Sequence, residues 1–281
     1  MPELHELQLE PIINRALEED WGNGDWTTDL CVSKGTQAEA SIIAKKSTMV
    51  SGLEVAKAVF RRVDPSLQIT LCKNNGALVE AQDVLMQIKG EARSILKAER
   101  VALNFLCRLC GISWMTHQYV KKLSGFKTQL LDTRKTTPGL RLLEKAATAV
   151  GGARNHRLCL TDGVLVKENH IRAANGITQA VNRLLESLPP TLKIEVETSN
   201  LDEVQEAIDA GADLIMLDNM SLSEMALAVR TVRGRVLLEA SGNITLDNIA
   251  EIAATGVNFI SSGSIVHSAP WADLSLLFKL H

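Results

Sequence analysis

Basic residues that could bind an anion cluster in and just after the segment 130–141, LLDTRKTTPGLR. The groups concerned are Arg134, Lys135, His156, Arg157 and Lys167. An arginine guanidinium matches a carboxylate with two parallel hydrogen bonds, so two arginines and a histidine suit a small dicarboxylate. Taken alone, the segment 151–160, GGARNHRLCL, is also typical of a solvated surface loop.

Lys167 and two acidic residues each follow an apolar run that is typical of a β-strand. Lys167 ends the run GVLV, where an unpaired lysine is costly to bury, so we expect it to meet an anion or a carboxylate. Glu197 and Asp218 end consecutive runs and could hold a divalent metal, contact sugar hydroxyls or stabilise a developing cation. Ion pairs with the lysines are the structural alternative for both carboxylates.

Two later apolar runs end in short segments rich in serine and glycine. These segments are Ser241-Gly242-Asn243 and Ser262-Gly263-Ser264. Glycine lets the backbone approach a phosphate closely, and the amides that begin the following helix point at the bound anion. One such segment alone is typical of an ordinary strand-to-helix turn, but polar residues follow six apolar runs, which favours a shared binding site.

The elements that must position these residues alternate along the chain after Gly125. The strand candidates are TQLLDT, GVLVKE, LKIEVET, ADLIMLDN, RVLLEASGN and VNFISSGS. Amphipathic helices are predicted at 176–187, 200–210, 221–233 and 245–255. Apolar strands separated by helices predict a parallel sheet. In an α/β barrel the active site lies at the C-terminal ends of the strands, and six or seven strands predict an incomplete barrel.

The segment before Gly125 does not alternate regularly and predicts a layered α+β arrangement. We expect a helix over 9–20, a turn-rich stretch over 21–29 and a long helix near 92–123. Cys107 and Cys110 form a Cys-x-x-Cys pair within the long helix, where they share one apolar face. This core position is favoured over a redox or metal pair, because no second Cys or His pair is spaced to complete a zinc site.

The composition argues against several function classes. Thirty basic and thirty-three acidic side chains give a net charge of −3, which favours neither a nucleic-acid nor a membrane surface. No apolar run reaches the roughly 18 residues that span a bilayer, and the N-terminal segment lacks a signal-peptide core. Five scattered cysteines argue against a disulfide framework. We therefore expect a cytoplasmic protein in which local cations, and not the overall charge, hold any anionic ligand.

Several motifs together resemble the quinolinate phosphoribosyltransferase family, also called nicotinate-nucleotide pyrophosphorylase (carboxylating), of the type II phosphoribosyltransferases. The motifs are AERVALNFLCRLCGI, LLDTRKTTPGLR, GGARNHR, KENH, IEVET, DLIMLDNM, LEASGNI and ISSGSIVHSA. WGNGDWTTD resembles the family's Gly-Asp-x-Thr-Thr segment, although Trp26 is bulkier than that pattern. The resemblance implies an α/β fold with an N-terminal open-faced α+β sandwich over 1–105 and an incomplete α/β barrel over 106–270. The C-terminal tail, 271–281, returns to the first domain.

The resemblance also implies an activity and its residues. Quinolinate and phosphoribosyl pyrophosphate would give nicotinate mononucleotide, pyrophosphate and carbon dioxide, with Mg²⁺, in NAD biosynthesis. Quinolinate would be held by Thr133, Arg134, His156, Arg157 and Lys167, with Arg100 lent by the partner in a homodimer or higher homo-oligomer. The implied catalytic residues are Lys135, Glu197 and Asp218, the last two also as Mg²⁺ ligands, directly or through water. The implied phosphoribosyl pyrophosphate site comprises Lys135, Glu197, Asp218, Ser241, Gly242, Asn243, Ser262, Gly263, Ser264 and His267.

Three other functions remain open at this point. The nearest is a related phosphoribosyltransferase with a different substrate. A barrel lyase that uses Lys135 or Lys167 as a Schiff base is possible chemistry for a buried lysine, but it leaves the arginine–histidine cluster and both Ser-Gly segments less well explained. A non-catalytic binding protein is disfavoured, because acids, bases and phosphate-loop residues all follow strand ends.

Overall fold

The computed structural model describes residues 5–280. These residues form two compact units. Unit 1 comprises 5–117, 137–151 and 269–280, and unit 2 comprises 118–136 and 152–268. The domain bounds expected from the sequence, 1–105 and 106–270, stay a prediction, because a division by compactness follows the packing of segments and not their order along the chain.

Helices and strands occur in both units. The helices are α1 (Glu6–Trp21), α2 (Trp26–Cys31), α3 (Leu53–Val63), α4 (Ala92–Lys122), α5 (Arg141–Val150), α6 (Glu168–Ala174), α7 (Ile177–Ser187), α8 (Leu201–Ala210), α9 (Leu222–Val232), α10 (Ile249–Ala254) and α11 (Ser264–His267). The strands are β1 (Gln37–Ala44), β2 (Thr48–Met49), β3 (Gln68–Leu71), β4 (Leu78–Val79), β5 (Val84–Glu91), β6 (Gln129–Leu131), β7 (Val164–Val166), β8 (Ile194–Thr198), β9 (Leu214–Asp218), β10 (Leu237–Ser241), β11 (Phe259–Ser261) and β12 (Leu274–Leu280). Within residues 5–280, none of the helices combines the length and the apolarity that crossing a bilayer requires.

Unit 1 is built on a four-stranded antiparallel sheet with the order β12-β1-β5-β3. Along β1, Ala38, Ala40 and Ile42 are buried, and the residues between them are more exposed. This period of two is expected of a sheet that is covered on one face only. The predicted open-faced α+β arrangement is therefore confirmed. The edge strand β12 comes from the far end of the described chain and pairs Leu280 with Ala38.

The prediction of a turn-rich stretch over 21–29 is wrong in its second half, where α2 begins. Oδ1 of Asp25 accepts a hydrogen bond of 2.9 Å from the amide of Thr28 and so caps the helix. Hydrogen bonds from Thr28 also lower the pKa of Asp25. Aspartate, threonine and glycine serve both turns and helix starts, so a short capped helix has the composition of a turn.

The Cys-x-x-Cys pair lies on α4, and Cys110 is fully buried there. Its Sγ accepts a hydrogen bond from the amide of Ser51 and donates one to the carbonyl of the same residue, both at 3.3 Å. Burial raises the pKa of Cys110 to about 12, and burial also raises the pKa of Cys107. A thiol that stays protonated is a poor nucleophile and a poor metal ligand, so the helix-core interpretation is confirmed for Cys110, whereas Cys107 is only half-buried.

Unit 2 contains six parallel strands in the order β6-β11-β10-β9-β8-β7. Strands β7 to β11 follow one another across the sheet, and β6 joins it beside β11. A closed barrel would also pair β6 with β7. In the described part of the chain, pairing on that side is limited to an isolated bridge between Leu131 and Arg154. The sheet is therefore an incomplete barrel, as predicted.

Two helices of unit 2 begin at residues whose side chains cap them. Asn200 accepts a hydrogen bond from the amide of Glu203 at the start of α8, and Ser221 forms a capping box with Glu224 at the start of α9. The four helices predicted between 176 and 255 are present as α7 to α10. Helices α6 and α11 were not predicted, because they are too short to show a helical period.

Candidate active site

The C-terminal ends of the six parallel strands surround a cavity of about 900 Å³ in unit 2. Parallel strands end at the same edge of a sheet, so the polar residues that follow them meet there. The predicted site residues that line the cavity are Thr133, Arg134, Lys135, His156, Arg157, Lys167, Glu197, Asp218, Ser241, Gly242, Asn243, Ser262, Gly263, Ser264 and His267. Arg100 belongs to unit 1, where it is exposed on α4.

Arg134 and Arg157 form the cationic side of the cavity. Nε of Arg134 is buried and has no hydrogen-bond partner among the described residues. Burial lowers the pKa of Arg157, and the nearby charge of Arg134 lowers it further. Two guanidinium groups that repel each other in a partly desolvated cavity, one with an unused donor, are arranged to receive an anion.

Arg157 is held in place through its side chain and through the segment before it. Its Nη1 donates to the carbonyl of Gly163 at 2.9 Å. The fully buried Asp132 accepts hydrogen bonds from the amide of His156 at 2.8 Å and from Nδ2 of Asn155 at 2.7 Å. The acid of the LLDTRK motif therefore anchors the second basic segment to the end of β6.

Both ring nitrogens of His156 contact protein groups. Nδ1 accepts a hydrogen bond of 2.8 Å from the amide of Arg157. Nε2 lies 2.9 Å from Oε2 of Glu195 and 3.7 Å from Oε2 of Glu239. A ring nitrogen that accepts a hydrogen bond carries no proton, so the proton is on Nε2, which donates to Glu195. The predicted direct contact of His156 with a dicarboxylate stays a prediction.

Glu195 and Glu239 are functional candidates that sequence reasoning missed. Each lies two residues before a predicted site residue, Glu197 or Ser241, and therefore faces the same side of the sheet. Their exposed fractions are 5% and 0%. Burial, and then the charge of Glu195, raise the pKa of Glu239 to about 8. The available signal was a glutamate inside an apolar strand, where it is rare unless it is paired.

An ion pair joins the ends of β7 and β8, where Nζ of Lys167 lies 2.9 Å from Oε2 of Glu197. The prediction that Lys167 meets a carboxylate is confirmed. Burial is not the reason, because 50% of the Lys167 side chain is exposed. The structural alternative for Glu197, an ion pair with a lysine, is thus present. A pair this exposed contributes little to stability, so substrate contacts can replace it at low cost.

Asp218, Asn219 and Asn243 are linked across the ends of β9 and β10. Nδ2 of Asn219 donates to Oδ2 of Asp218 at 2.8 Å, and its Oδ1 accepts from Nδ2 of Asn243 at 3.0 Å. Gly242 has a φ of +94°, and a Cβ there would lie 2.2 Å from Oδ1 of Asn219. Both the backbone conformation and the contact therefore require glycine. Asn219 lines the cavity but was not among the predicted site residues.

Lys135 and His267 lie over Gly263. A Cβ on Gly263 would come within 2.8 Å of Cδ of Lys135 and 3.1 Å of Cδ2 of His267. The φ of Gly263 is −75°, so space alone requires glycine here. The amide of Lys135 donates to Oγ1 of Thr133 at 3.0 Å, which shapes the turn after β6. Lys135 and the segment after β11 therefore share one end of the cavity.

Hydroxyl groups line the cavity beside α11. Oγ of Ser262 lies 2.7 Å from Oγ of Ser264, which in turn lies 2.9 Å from the hydroxyl of Tyr119. A hydroxyl can rotate to donate a proton to an anion or to accept one from a neighbour. This chain of hydroxyls can therefore adapt to a phosphate. Tyr119 is buried and is not among the residues that line the cavity; it supports Ser264 from behind, and the sequence did not indicate it.

Two family models match consecutive parts of the chain. The family described as Quinolinate phosphoribosyl transferase, N-terminal domain, matches residues 25–110. The family described as Quinolinate phosphoribosyl transferase, C-terminal domain, matches residues 112–277.

Individual proteins and a solved structure are similar over nearly the full length. A Synechocystis sp. protein named "Probable nicotinate-nucleotide pyrophosphorylase (carboxylating)" is 47% identical over 273 residues, which cover 95% of this chain and 92% of that protein. A Bacillus subtilis protein with the same name is 37% identical, covering 97% and 94%. The structure of the nicotinate-nucleotide pyrophosphorylase from Francisella tularensis has a TM-score of 0.94 at 41% identity, covering 99% and 98%.

Proposed function

The chain belongs to the quinolinate phosphoribosyltransferase family, and we propose that it transfers the phosphoribosyl group of phosphoribosyl pyrophosphate to quinolinate with loss of carbon dioxide. The products are nicotinate mononucleotide, pyrophosphate and carbon dioxide, and the reaction is a step of NAD biosynthesis. The arginine pair carries the proposal, because Arg134 keeps a buried and unpaired donor beside Arg157. Quinolinate has carboxylates on adjacent ring carbons, which match two guanidinium forks.

The reaction makes and breaks bonds at two centres. The ring nitrogen of quinolinate bonds to the anomeric carbon of the ribose, and the bond from that carbon to pyrophosphate breaks, with the electron pair leaving on pyrophosphate. The carboxylate next to the ring nitrogen then leaves as carbon dioxide. Its electron pair stays on the ring, where the cationic nitrogen stabilises it until a proton is added. The chain's task is to hold both substrates in line and to stabilise charge.

Quinolinate binds on the cationic side of the cavity. Its two carboxylates are held by Thr133, Arg134, Arg157 and Lys167. His156 lines the same part of the cavity, and both of its ring nitrogens already bond protein groups. Lys167 is paired with Glu197 before substrate arrives, and in our proposal a substrate carboxylate replaces Glu197 as its partner. This exchange frees Glu197 to face the ribose. Quinolinate binding thus prepares the carboxylate that the transfer step needs.

Glu197 and Asp218 serve the ribose and stabilise the positive charge that grows on it as pyrophosphate leaves. They also suit Mg²⁺, directly or through water, because carboxylate oxygens are the hard donors that this ion prefers. Asp218 is accessible in the cavity, and among the described residues its hydrogen bond comes from a neutral amide, that of Asn219. When bound, Mg²⁺ supplies charge neutralisation to the departing pyrophosphate.

Phosphoribosyl pyrophosphate binds at the other end of the cavity, where Lys135 and His267 lie over Gly263. Lys135 supplies a point charge for its phosphate groups. The remaining donors come from the two Ser-Gly segments, Ser241-Gly242-Asn243 and Ser262-Gly263-Ser264. Neither glycine carries a side chain, so a phosphate can approach the backbone amides there closely.

A homodimer completes the quinolinate site in our proposal. Arg100 is exposed on α4, as a residue that reaches a second copy of the chain must be. The partner's Arg100 would add a third guanidinium to the dicarboxylate subsite. A cytoplasmic location stays a prediction.

The assay that tests the function follows the new bond to the ribose and the loss of the carboxylate together. Purified protein with Mg²⁺, phosphoribosyl pyrophosphate and quinolinate labelled in the carboxylate next to the nitrogen is expected to release labelled carbon dioxide and form nicotinate mononucleotide in equal amounts. Nicotinate is expected to be a poor substrate, because its single carboxylate leaves a cationic subsite unpaired. Equal turnover of the two acids would overturn the dicarboxylate assignment, and no carbon dioxide release would overturn the function.

The state of both lysines speaks against the Schiff-base lyase. Lys167 is paired with Glu197, and Lys135 is exposed. A Schiff-base lysine must be neutral to attack a carbonyl, which usually requires burial or a neighbouring cation. Borohydride trapping with a keto acid, followed by mass spectrometry, is expected to give no adduct on either lysine.

A further inference from the structure

Three side chains meet inside the sheet of unit 2. His156 and Glu239 are among the residues that line the cavity, and Glu195 lies behind them. Glu195 lies on β8 and Glu239 on β10, with β9 between them. Alternate strands of a barrel place their inward side chains in one layer, so these two glutamates reach the same depth. Nε2 of His156 lies 2.9 Å from Glu195 and 3.7 Å from Glu239.

The two carboxyl groups differ in their hydrogen bonds and therefore in their charge. Oε1 of Glu195 and both side-chain oxygens of Glu239 are buried and make no hydrogen bond with the described residues. Two carboxylates this deep cannot both stay charged without a large desolvation cost. Glu239 is the more buried of the two, and Nε2 of His156 donates to Glu195 and not to Glu239, so Glu239 is the one that keeps a proton; burial, and then the charge of Glu195, raise its pKa to about 8.

The imidazole of His156 is fixed at both ends. Nε2 donates to Glu195 on β8, and Nδ1 accepts from the main chain of Arg157. The ring is rigid, and these two bonds set its tautomer. The position of the Arg157 main chain is therefore tied to the position of β8. The guanidinium of Arg157 lies in the dicarboxylate subsite.

We propose that Glu195 and Glu239 are positioning residues for quinolinate. Glu195 fixes the ring of His156, and the ring fixes the main chain at Arg157, so that the guanidinium stays aimed at a substrate carboxylate. Glu239 is a neutral neighbour that leaves a single negative charge in the layer, on Glu195. Glu239 is among the residues that line the cavity and Glu195 is not, and we assign neither of them a bond to the substrate. The proposal deepens the proposed function and rests on it.

A divalent metal is the competing occupant of this cluster. The three groups offer ligand atoms within 4.8 Å of one another. Two observations favour the hydrogen bond instead. The separation of 2.9 Å between His156 and Glu195 is ordinary for N–H···O. Arg157 is close enough for its charge to interact with that of Glu195, so this carboxylate already has a cation nearby.

Steady-state kinetics of matched variants test the proposal. Glu195→Ala is expected to raise the KM for quinolinate about tenfold to hundredfold, the range for an unmade buried hydrogen bond, and to leave the KM for phosphoribosyl pyrophosphate unchanged. Glu195→Gln keeps an oxygen that accepts the same bond, so its KM is expected to stay near that of the unaltered protein. Glu239→Gln, whose amide mimics the protonated carboxyl, is also expected to keep a KM for quinolinate near that of the unaltered protein. A loss in Glu195→Gln equal to that in Glu195→Ala would overturn the proposal.

Val196→Ala is the matched control. Val196 is fully buried next to Glu195 on β8, but it faces the opposite side of the sheet. Its truncation leaves a cavity without altering the cluster, so we expect a lower Tm and an unchanged KM for quinolinate. If Val196→Ala raises that KM as Glu195→Ala does, the effect is a general loss of packing and the positioning role is wrong.

A readout without substrate separates this proposal from the proposed function. In full-length protein with ¹⁵N-labelled histidine, the His156 ring is expected to show a protonated Nε2 and an unprotonated Nδ1; His156→Asn assigns its signals. Glu195→Ala is expected to change this pattern, and an unchanged pattern contradicts the proposal. This protonation pattern of the His156 ring does not depend on turnover, so it is expected even if the carbon dioxide assay shows no activity. A stoichiometric metal that is lost in Glu239→Gln would overturn the proposal in favour of a metal site.

Discussion

The ammonium of Lys167 lies 2.9 Å from the carboxylate of Glu197, and the two residues end adjacent strands. In the proposed function one of them serves quinolinate and the other serves the ribose. In that proposal each leaves the other for its substrate, so this ion pair couples the two halves of the cavity.

Glu197→Gln separates binding from turnover. The change removes the partner of Lys167, so we expect quinolinate to bind as tightly as before or more tightly. We expect kcat to fall about a hundredfold or more, because the growing charge on the ribose loses a carboxylate. Calorimetry for quinolinate and steady-state assays measure the two effects. Weaker quinolinate binding would show that the ion pair holds Lys167 in place for the substrate.

Arg134→Ala and Arg157→Ala are each expected to weaken quinolinate binding about tenfold to hundredfold, the range for a lost charge-assisted hydrogen bond. Arg154→Ala is the matched control, because Arg154 stacks on the ring of Phe259 and does not line the cavity. Equilibrium dialysis with each substrate provides the measurement. A loss confined to phosphoribosyl pyrophosphate would reverse our division of the cavity.

Gly242→Ala is expected to weaken binding of phosphoribosyl pyrophosphate, because a Cβ would collide with Asn219 and disrupt the link to Asn243. Gly234→Ala is the control. Gly234 has a φ of +74° but open space around its missing Cβ, so it tests backbone strain alone. Both variants should lose about 1 kcal/mol of stability from strain, and only Gly242→Ala should lose affinity. Equal affinity in the two variants would remove this segment from the donor site.

Glu239 should make stability depend on pH. The pKa of its carboxyl rises from 4.5 to about 8 on folding, so the folded state binds more protons than the unfolded state between these values. The contribution of Glu239 to the free energy of unfolding is therefore fully present below the lower value and is lost as the pH rises through the upper one. Urea unfolding below, within and above this window should show a steeper fall than in Glu239→Gln. Parallel pH profiles would mean that Glu239 is charged when buried.

Mixing two inactive variants tests the shared site. In a hybrid of Arg100→Ala and Glu197→Gln chains, one of the two sites has both native residues. Random exchange makes half of the dimers hybrids, so about a quarter of the sites should be intact. Activity should rise to that level after mixing and subunit exchange. A mixture of two separate preparations of Glu197→Gln is the control and should stay inactive. No recovery of activity in the test mixture would count against a shared site.

The cavity rim was predictable because its residues directly follow apolar runs. Lys167, Glu197 and Asp218 each mark the point where a buried strand meets solvent, and this change of character is visible in the sequence. The six-stranded incomplete barrel followed from the same alternation of runs and helices. The short helix α2 was missed, since a capped short helix has the composition of a turn.

The interior cluster was not predictable, because its members become meaningful only as a group. Glu195 shares its strand face with Glu197, but its partner His156 lies 39 residues earlier in the chain. A glutamate within an apolar strand shows that some partner must exist and not which one. Asp132 is a similar case, since its contacts with Asn155 and His156 depend on how two loops meet.

The pairing of β1 with β12 has a consequence for how the chain reaches its native state. During synthesis β1 emerges long before residues 274–280 are made, so its outer row of N–H and C=O groups has no partner in that interval. Contacts that join such distant parts of a chain form slowly, because a long loop must close first. A growing or truncated chain thus offers a sheet edge to other chains, and unit 1 is prone to misassembly until β12 arrives.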